Sequence, residues 1–332
     1  MDRIKRPTGL CINARRIHTS KVPAGQSRLI KGAFLTNAPV DFNSVNRVNP
    51  LLHANKYPVW FITGCSGGLG RALVEAVLQG GHLCVATTRG EGALDDLVAA
   101  HGSRLLVLTL DITDTEQREQ AVATAEATFG RIDVLVNNAG YGYLAAIEEG
   151  SDAEIRAIFE VNVFAPAALI RLVLPGMPAR RQGRIVNISS LGGVVANASS
   201  GYYASTKFAL EGMSEALAKE VEPLGITIMI VEPGPFRTDF YGRSIRVVKD
   251  PIQDYANTAA ARRAKLTASH GQQAGDPVRA AQTIFRVIQT QAPPLRLALG
   301  RDAVFFLRRK YTRSLKMLEE WESESLTADY PI

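Results

Sequence analysis

Cysteine is scarce in this 332-residue sequence, and its spacing excludes two classes of scaffold. Three cysteines lie far apart at positions 11, 65 and 84, no Cys-x-x-Cys pair occurs, and the five histidines are scattered. Neither a disulfide framework nor a zinc site is indicated, so no metal is predicted. Because the odd cysteine count fits a reducing compartment, we expect a cytoplasmic protein.

Long apolar runs and internal repeats are also lacking. We find no stretch near the roughly 20 apolar residues that a membrane span needs, so none is predicted. Hydrophobic residues make up 46% of the chain and charged residues 21%, as in ordinary globular proteins. The length permits one large or two small domains with a sizeable core.

Acidic residues are rare only at the N-terminus. Residues 1–57 hold ten Lys or Arg against two acids, so the rest of the chain carries −2 although the net charge is +6. The basic pI therefore gives no reason to expect nucleic-acid binding. Segment 1–57 is a basic extension interrupted by prolines. It fits a disordered extension, residues upstream of the true start, or a mitochondrial transit peptide, and the last would imply a mitochondrial location.

A short apolar run followed by glycines opens the globular part at Pro58. Val59–Ile62 has a buried-strand pattern, the loop Thr63-Gly64-Cys65-Ser66-Gly67-Gly68-Leu69-Gly70 follows, and an amphipathic helix runs to residue 78. A strand, a glycine loop and a helix start form a dinucleotide-binding opening, because glycines let the backbone approach the pyrophosphate and the helix supplies amide donors. The alternative is a glycine-rich turn in any α/β protein.

Short apolar segments then alternate with helical ones, which predicts a parallel sheet covered on both faces. The predicted strands are 83–87, 105–110, 132–136, 184–189, 226–231 and 295–299, and the predicted helices are 94–100, 115–129, 152–174, 201–221, 278–289 and 302–322. We expect a Rossmann-type doubly wound α/β fold in one domain, residues 58–300. Segment 235–277 is long enough to cover a site. Residues 301–332 form a C-terminal helix and tail.

Tyr203 and Lys207 are the candidate acid–base pair. Four positions apart on the predicted helix 201–221, they share one face with Cβ atoms about 5–6 Å apart. Because an ammonium favours the phenolate, we expect Lys207 and a second positive charge together to lower the Tyr203 pKa towards 7, where a phenol is a general acid and base. Tyr202 lies about 140° around the helix from Lys207 and is the poorer candidate. The alternative is an exposed Tyr–Lys pair on a solvated helix.

Pro166 falls inside the predicted helix 152–174. Proline has no amide proton, and its ring crowds the carbonyl four residues earlier, that of Asn162. This carbonyl is therefore left without its helical partner and is free for another ligand. A plain kink with a solvated Asn162 explains the pattern equally well.

Together these residues resemble the short-chain dehydrogenase/reductase family, in its single-domain branch. The resemblance covers about residues 58–300 and rests on motifs in the family's order: Thr63-Gly64-x-x-x-Gly68-x-Gly70, Asp111, Asn137-Asn138-Ala139-Gly140, Asn162, Ser190, Tyr203-x-x-x-Lys207 and Pro233-Gly234. It implies a catalytic tetrad of Asn162, Ser190, Tyr203 and Lys207.

In the implied tetrad, Tyr203 exchanges the hydroxyl proton, and Lys207 lowers the Tyr203 pKa and binds the nicotinamide ribose. Ser190 binds the substrate oxygen, and the Asn162 carbonyl holds a water in a relay to the lysine. Ser189 is the rival of Ser190, because strand alternation puts the two on opposite faces without saying which faces the site.

The resemblance also implies a site for a nicotinamide dinucleotide, with the glycine loop at the pyrophosphate, residues 111 and 112 at the adenine and residues 138–140 under its ribose. The implied cofactor-binding residues are Gly64, Ser66, Gly68, Leu69, Gly70, Arg89, Asp111, Ile112, Asn138, Ala139, Gly140, Tyr203, Lys207, Pro233, Gly234 and Thr238. Thr238 would reach the nicotinamide carboxamide. We interpret Asn137 as a structural amide between adjacent strands.

The end of the second strand indicates which cofactor is preferred. Ala86-Thr87-Thr88-Arg89 offers no carboxylate for a ribose 2′-hydroxyl and one guanidinium suited to a 2′-phosphate. NADP(H) is therefore predicted, with NAD(H) as the second choice. NADP-preferring members often carry another basic residue in the glycine loop, where this chain has Gly67, so discrimination is expected to be incomplete. The alternative for Arg89 is an exposed surface arginine.

The expected function is a reversible NADP(H)-dependent carbonyl reductase or secondary alcohol dehydrogenase. Aromatic residues in segment 235–277 suit an apolar steroid, retinoid or aromatic aldehyde, although a mobile lid would explain them too. An NAD-preferring dehydrogenase, a nucleotide-sugar epimerase and a dinucleotide-sensing module without turnover are the alternatives. The glycine spacing opposes the epimerase, and the complete Tyr–Lys set opposes the sensor. As in the family, we expect a homodimer or homotetramer formed through helices 152–174 and 203–221.

Overall fold

The computed structural model describes residues 57–330. Residues 1–56, on which the interpretations of the basic extension depend, and residues 331–332 lie outside this part of the chain. The strands are β1 (Val59–Ile62), β2 (Leu83–Thr88), β3 (Leu105–Thr109), β4 (Val134–Asn137), β5 (Gly142–Leu144), β6 (Gly183–Ile188), β7 (Ile226–Pro233), β8 (Ile245–Val247) and β9 (Arg296–Leu299). The α-helices are α1 (Gly68–Gln79), α2 (Asp95–His101), α3 (Thr115–Phe129), α4 (Asp152–Phe159), α5 (Ala165–Val173), α6 (Gly201–Val221), α7 (Ala261–Ala268), α8 (Pro277–Ile288) and α9 (Arg301–Leu326).

Seven strands form one parallel sheet in the order β3-β2-β1-β4-β6-β7-β9. Every residue of β1 is buried, because β2 and β4 pair with its two edges. Alternate side chains point to opposite faces: Trp60 and Ile62 join the core under α1 and α8, whereas Phe61 joins the core under α3, α5 and α6. The predicted doubly wound α/β fold is therefore confirmed.

The strand order reverses between β1 and β4, which is where such sheets bind ligands. The loops after β1, β2, β3, β4, β6 and β7 all leave the carboxyl edge of the sheet. A crevice forms where neighbouring loops diverge from this edge. The predicted cofactor residues come from these loops, from the first turn of α1, from the end of β7 and from α6.

The predicted helix 152–174 is divided in the structure. A π turn, Glu160–Phe164, separates α4 from α5. Pro166 lies in the first turn of α5, where a missing amide proton costs no helical hydrogen bond. Contrary to the sequence expectation, Asp152–Gly176 is long and apolar enough to cross a membrane by length and composition alone. Half of its apolar window is buried inside the fold, so here it serves as a core helix.

Candidate active site

Two loops are joined across the crevice between β1 and β4. Asn138 Nδ2 donates hydrogen bonds to the carbonyls of Thr63 (2.8 Å) and Gly64 (3.0 Å), and the Thr63 hydroxyl accepts one from the Ala139 amide (3.0 Å). Gly64 has φ +70°, and a Cβ there would lie 2.8 Å from the Ala139 Cα. A Cβ at Gly70 would overlap the Gly64 carbonyl oxygen. Close backbone packing therefore requires glycine at both positions.

The crevice opens into a cleft of about 750 Å³ along the carboxyl edge of the sheet. All the predicted cofactor-binding residues line it: Gly64, Ser66, Gly68, Leu69, Gly70, Arg89, Asp111, Ile112, Asn138, Ala139, Gly140, Tyr203, Lys207, Pro233, Gly234 and Thr238. Helix α1 begins without a side-chain cap, which leaves its first amides for a phosphate. The residues present therefore fit a nicotinamide dinucleotide.

Tyr203, Lys207 and Ser190 meet on one wall of this cleft. The Lys207 Nζ lies 5.9 Å from the centroid of the Tyr203 ring and donates a hydrogen bond to the Ile188 carbonyl (2.8 Å). The Ser190 hydroxyl is hydrogen-bonded to the Tyr203 phenol and accepts from the Gly192 amide (2.9 Å). The arrangement brings a proton donor, a cation and a hydroxyl to one place.

The two rival side chains point elsewhere. Tyr202 donates a hydrogen bond to the Ile147 carbonyl and stacks on Tyr143, with 6.1 Å between ring centroids. The Ser189 side chain is buried and faces Glu211. Helix and strand geometry thus separate each rival from the predicted residue beside it.

Burial is the largest influence on the pKa values of Tyr203 and Lys207. It raises the pKa of Tyr203 to about 12, although the hydrogen bond with Ser190 opposes it. It also lowers the pKa of Lys207 to about 8 against the opposing charge of Glu211. Lys207 therefore does not lower the Tyr203 pKa in the chain by itself. A fall towards 7 once an oxidised nicotinamide adds a second positive charge stays a prediction. The ammonium bonds the Ile188 carbonyl rather than the phenol, and removal from water disfavours both charged forms.

Asn162 lies in the π turn and is buried, so the interpretation of a solvated Asn162 is wrong. Its side chain donates to the Tyr141 carbonyl (2.9 Å) and accepts from the Tyr141 amide (3.1 Å). A Cβ at Gly140 would lie 3.0 Å from the Asn162 Oδ1. The side chain therefore holds the loop after β4 from behind the cleft. The role of its carbonyl in a water relay stays a prediction.

Two other polar residues near the cleft maintain its walls. Asn137 Nδ2 donates to Asn187 Oδ1 (2.8 Å), which joins β4 to β6 as the sequence predicts for a structural amide. The Asp111 carboxylate accepts from the Thr113 amide (2.9 Å) and hydroxyl (2.8 Å), and these bonds hold the Asp111 pKa below its ordinary value. Asp111 therefore remains ionised and fixes the turn after β3.

Two guanidinium groups lie near the loops at the β1–β2 side of the cleft. Arg89 follows β2, is exposed and lines the cleft. Arg243 also lines it and lies over Gly67, where a Cβ would overlap its Nη2; it pairs with Asp239 at 3.4 Å. The sequence interpretation missed Arg243, because no local pattern relates it to a loop so distant in the chain.

The predicted covering segment 235–277 is attached at the surface, where Arg246 bonds Glu154 and Tyr255 bonds Glu148, and more deeply at two places. Strand β8 pairs with β5 in parallel, with Gly142 opposite Ile245. The buried Glu149 carboxylate accepts from both Arg263 and the Ile252 amide. Although burial raises the Glu149 pKa, these hydrogen bonds leave it below the ordinary value. Neither attachment has a sequence signal, since β5 and β8 are three residues each and the ion pair joins distant segments.

A smaller pocket of about 110 Å³ adjoins Tyr203 and Ser190 beneath this segment. Its walls include Leu144, Phe240 and Leu266, and the Phe240 ring lies 5.9 Å from that of Tyr203. The pocket therefore combines apolar side chains beside the candidate proton donor with the polar Asn197, Ser200 and Tyr241.

Comparisons with known proteins give one consistent family. The family profile described as short chain dehydrogenase matches residues 58–246. The oxidoreductase BOA17 of Botryotinia fuckeliana is 38% identical over 273 residues, which cover 81% of this chain and 98% of that protein. Human retinol dehydrogenase 8 is 37% identical over 254 residues, covering 71% and 79%.

Comparisons with solved structures indicate the same family. A short-chain dehydrogenase from Streptomyces avermitilis is 43% identical, with a TM-score of 0.78, and the match covers 83% of this chain and 100% of that one. A metagenomic short-chain oxidoreductase in complex with NADP is 25% identical, with a TM-score of 0.58 and coverage of 73% and 96%. Both matches support the fold described above.

Proposed function

Since this chain belongs to the short-chain dehydrogenase family of NAD(P)-dependent oxidoreductases that act on CH–OH groups, we propose that it is an NADP(H)-dependent carbonyl reductase, acting in reverse as a secondary alcohol dehydrogenase. The observation that carries the proposal is the meeting of Tyr203, Lys207 and Ser190 on a wall of the glycine-lined cleft. A bound nicotinamide supplies the hydride for the carbonyl carbon, or accepts it in the reverse direction.

Each of the three side chains has a distinct task in reduction. Ser190 donates a hydrogen bond to the carbonyl oxygen of the substrate and orients it. Tyr203 gives its proton to that oxygen as negative charge develops there; with a pKa near 12 its phenol is protonated at neutral pH and ready to donate. Lys207, whose pKa is about 8, is mostly charged at neutral pH and stabilises the phenolate left behind.

NADP(H) is the cofactor we propose, with NAD(H) accepted more weakly. No carboxylate stands at the end of β2, while Arg89 and Arg243 both line the cleft. Arg243 supplies a basic group above Gly67, where the family's NADP-preferring members often have one in the loop itself. The NADP complex of a 25% identical relative supports the same choice.

The substrate we propose is a ketone or aldehyde with an apolar part. The small pocket is walled by side chains such as Leu144, Phe240 and Leu266. A relative with 37% identity bears the name retinol dehydrogenase, which fits an apolar substrate.

We also propose that the enzyme is a homodimer or homotetramer. Phe164 and Phe208, at the π turn and on α6, are 55% and 45% exposed. A second copy would remove these large apolar side chains from water. The two buried, unpaired thiols Cys65 and Cys84 suit the cytoplasm, and a mitochondrial location would follow if residues 1–57 are a leader.

A panel of carbonyl compounds tests the proposed activity. Purified full-length protein is mixed with aromatic aldehydes, steroid ketones, retinal, and short aliphatic aldehydes and oxo acids, and oxidation of NADPH or NADH is followed by absorbance. We expect turnover of at least one carbonyl, faster with NADPH than with NADH. If NADPH binds tightly and no carbonyl or alcohol is turned over, the dinucleotide-sensing alternative replaces the proposal.

A further inference from the structure

Arg262 lies on α7, and within the described part of the chain its guanidinium has a donor without a hydrogen-bond acceptor. The side chain is half-buried, and its Nε is fully buried without a hydrogen-bond acceptor. Within residues 57–330 no carboxylate lies at ion-pair distance from it. The next residue, Arg263, is by contrast paired with the buried Glu149. A buried donor left without a partner is costly, so its presence calls for an explanation.

Because the Nε has no accessible surface, a ligand would reach only the part of Arg262 that lines a pocket. Arg262 lines the small pocket next to Tyr203 and Ser190, and it is the one charged residue among the pocket's described walls. It does not line the larger cleft, so the phosphates of a dinucleotide there are not its partners. The positive charge of Arg262 acts within the pocket. Burial raises the pKa of Tyr241, and the charge of Arg262 opposes that rise.

The remaining walls define what can lie between the catalytic hydroxyls and the guanidinium. Leu144, Val195 and Leu266 are apolar, and Phe240 covers the pocket near Tyr203. The pocket volume of about 110 Å³ admits a short chain rather than a bulky ring system. A planar guanidinium is suited to a carboxylate, which accepts two parallel hydrogen bonds from it.

We propose that Arg262 binds the carboxylate of an oxo acid, whose carbonyl lies at Ser190 and Tyr203 and whose short apolar chain spans the pocket. This inference rests on the proposed carbonyl reductase activity and narrows its substrate class. Reduction converts the oxo acid to the corresponding hydroxy acid, and the carboxylate takes no part in the chemistry.

Matched acids and esters test the assignment. Initial rates with NADPH are measured for ω-oxo carboxylic acids of increasing chain length and for their methyl esters, which lack only the charge. We expect at least about a tenfold higher kcat/KM for the acid at the chain length that fits, because a hydrogen bond to a charged group is lost in the ester. In Arg262→Met the acid-to-ester ratio falls to about one.

Lys265→Met is the matched control, since Lys265 lies on the same helix and is exposed. Its acid-to-ester ratio should equal that of the wild type. If Arg262→Met fails to fold, competitive inhibition of the wild-type enzyme tests the same carboxylate contact. Hexanoate should compete with the carbonyl substrate, and hexanamide should not.

Three outcomes would overturn the inference. The first is an equal ratio in the wild type and Arg262→Met, the second is no difference between hexanoate and hexanamide, and the third is inhibition by hexyl phosphate but not hexanoate. Any of these leaves the reductase activity in place if the esters are still reduced. Absence of turnover with every carbonyl would instead overturn the proposed function itself.

Discussion

At the scale of single residues, Tyr203 is governed by two opposing influences. Burial holds its proton, and the hydrogen bond with Ser190 helps to release it. Lys207 lies one helical turn away but directs its ammonium to the Ile188 carbonyl. In the chain by itself the phenol is therefore protonated at neutral pH.

The proposed preference for NADP(H) is also testable at single residues. We predict that Arg89→Ala raises the KM for NADPH about tenfold and that for NADH much less, because only NADPH carries a 2′-phosphate for the guanidinium. Arg243→Ala should act in the same direction. The control is Arg309→Ala, an exposed arginine on α9. Steady-state kinetics give the KM for NADPH and for NADH in each variant. An equal rise in both KM values would remove the basis for the proposed preference.

Glu232 gives a pH-dependent stability. Burial and the neighbouring Glu211 raise its pKa to about 7, although Arg296 opposes them, with its Nε 3.6 Å from the carboxylate. The folded state therefore holds a proton that the unfolded state releases at lower pH. The resulting stabilisation is present below the unfolded pKa and is lost as the pH rises through about 7.

We predict that Glu232→Gln flattens this dependence. Between about pH 5 and pH 8 the free energy of unfolding should fall by about 1 kcal/mol less in the variant than in the wild type, allowing for solvent screening. Urea unfolding at several pH values measures the difference. Glu319→Gln, at an exposed site on α9, should behave as the wild type. A parallel pH dependence in Glu232→Gln and the wild type would show that Glu232 titrates normally.

At the scale of elements, the covering segment depends on one buried ion pair. The side chains of Glu149 and Arg263 are 0% and 8% exposed. We predict that Arg263→Met costs about 3 kcal/mol of local stability, because the Glu149 carboxylate is left buried with only backbone donors. Limited proteolysis should then cut the segment 245–268 faster, and the KM for the carbonyl should rise.

Lys265→Met again provides the comparison, since it changes an exposed charge on the same helix. Its cleavage rate should match the wild type. If Arg263→Met is cut no faster than this control, the ion pair does not hold the segment in place.

Regular elements were predictable from the sequence where their period was sustained. Helix α3 begins and ends as predicted, because Asp114 caps its first turn and Gly130 ends it in the left-handed conformation. Helix α6 also has the predicted bounds, although no side chain caps its start. The motif residues of the cleft were predictable because the strands are parallel and their carboxyl ends share one edge. Spacing on α6 also separated Tyr203 from Tyr202.

Features set by distant contacts were not predictable. Strands β5 and β8 are too short to show alternation, and the pairing of Glu149 with Arg263 joins residues 114 positions apart. The Tyr203 pKa in the chain by itself was not predictable, because burial depends on the fold around the phenol and not on the Tyr–Lys spacing. Arg243 and Arg262 reach the cleft and its side pocket only through the fold of the covering segment.

At the scale of the whole molecule, exposed apolar side chains predict self-association. Light scattering after gel filtration should give the mass of two or four chains for the wild type. Phe164→Asp should shift the protein towards a monomer, because a carboxylate would be buried at the contact. Val98→Asp, at a 40% exposed site on α2, is the control. A monomeric wild type, or an unchanged mass in Phe164→Asp, would contradict this assignment of the interface.

The whole account rests on proton donation by one phenol beside a nicotinamide site. The most direct measurement is NADPH oxidation with an active carbonyl substrate in Tyr203→Phe, with NADPH affinity measured in parallel and Tyr202→Phe as the matched control. We predict that Tyr203→Phe binds NADPH normally and loses about 10²- to 10⁴-fold in kcat, the usual contribution of a general acid, while Tyr202→Phe stays active. A fully active Tyr203→Phe with an inactive Tyr202→Phe would contradict the account.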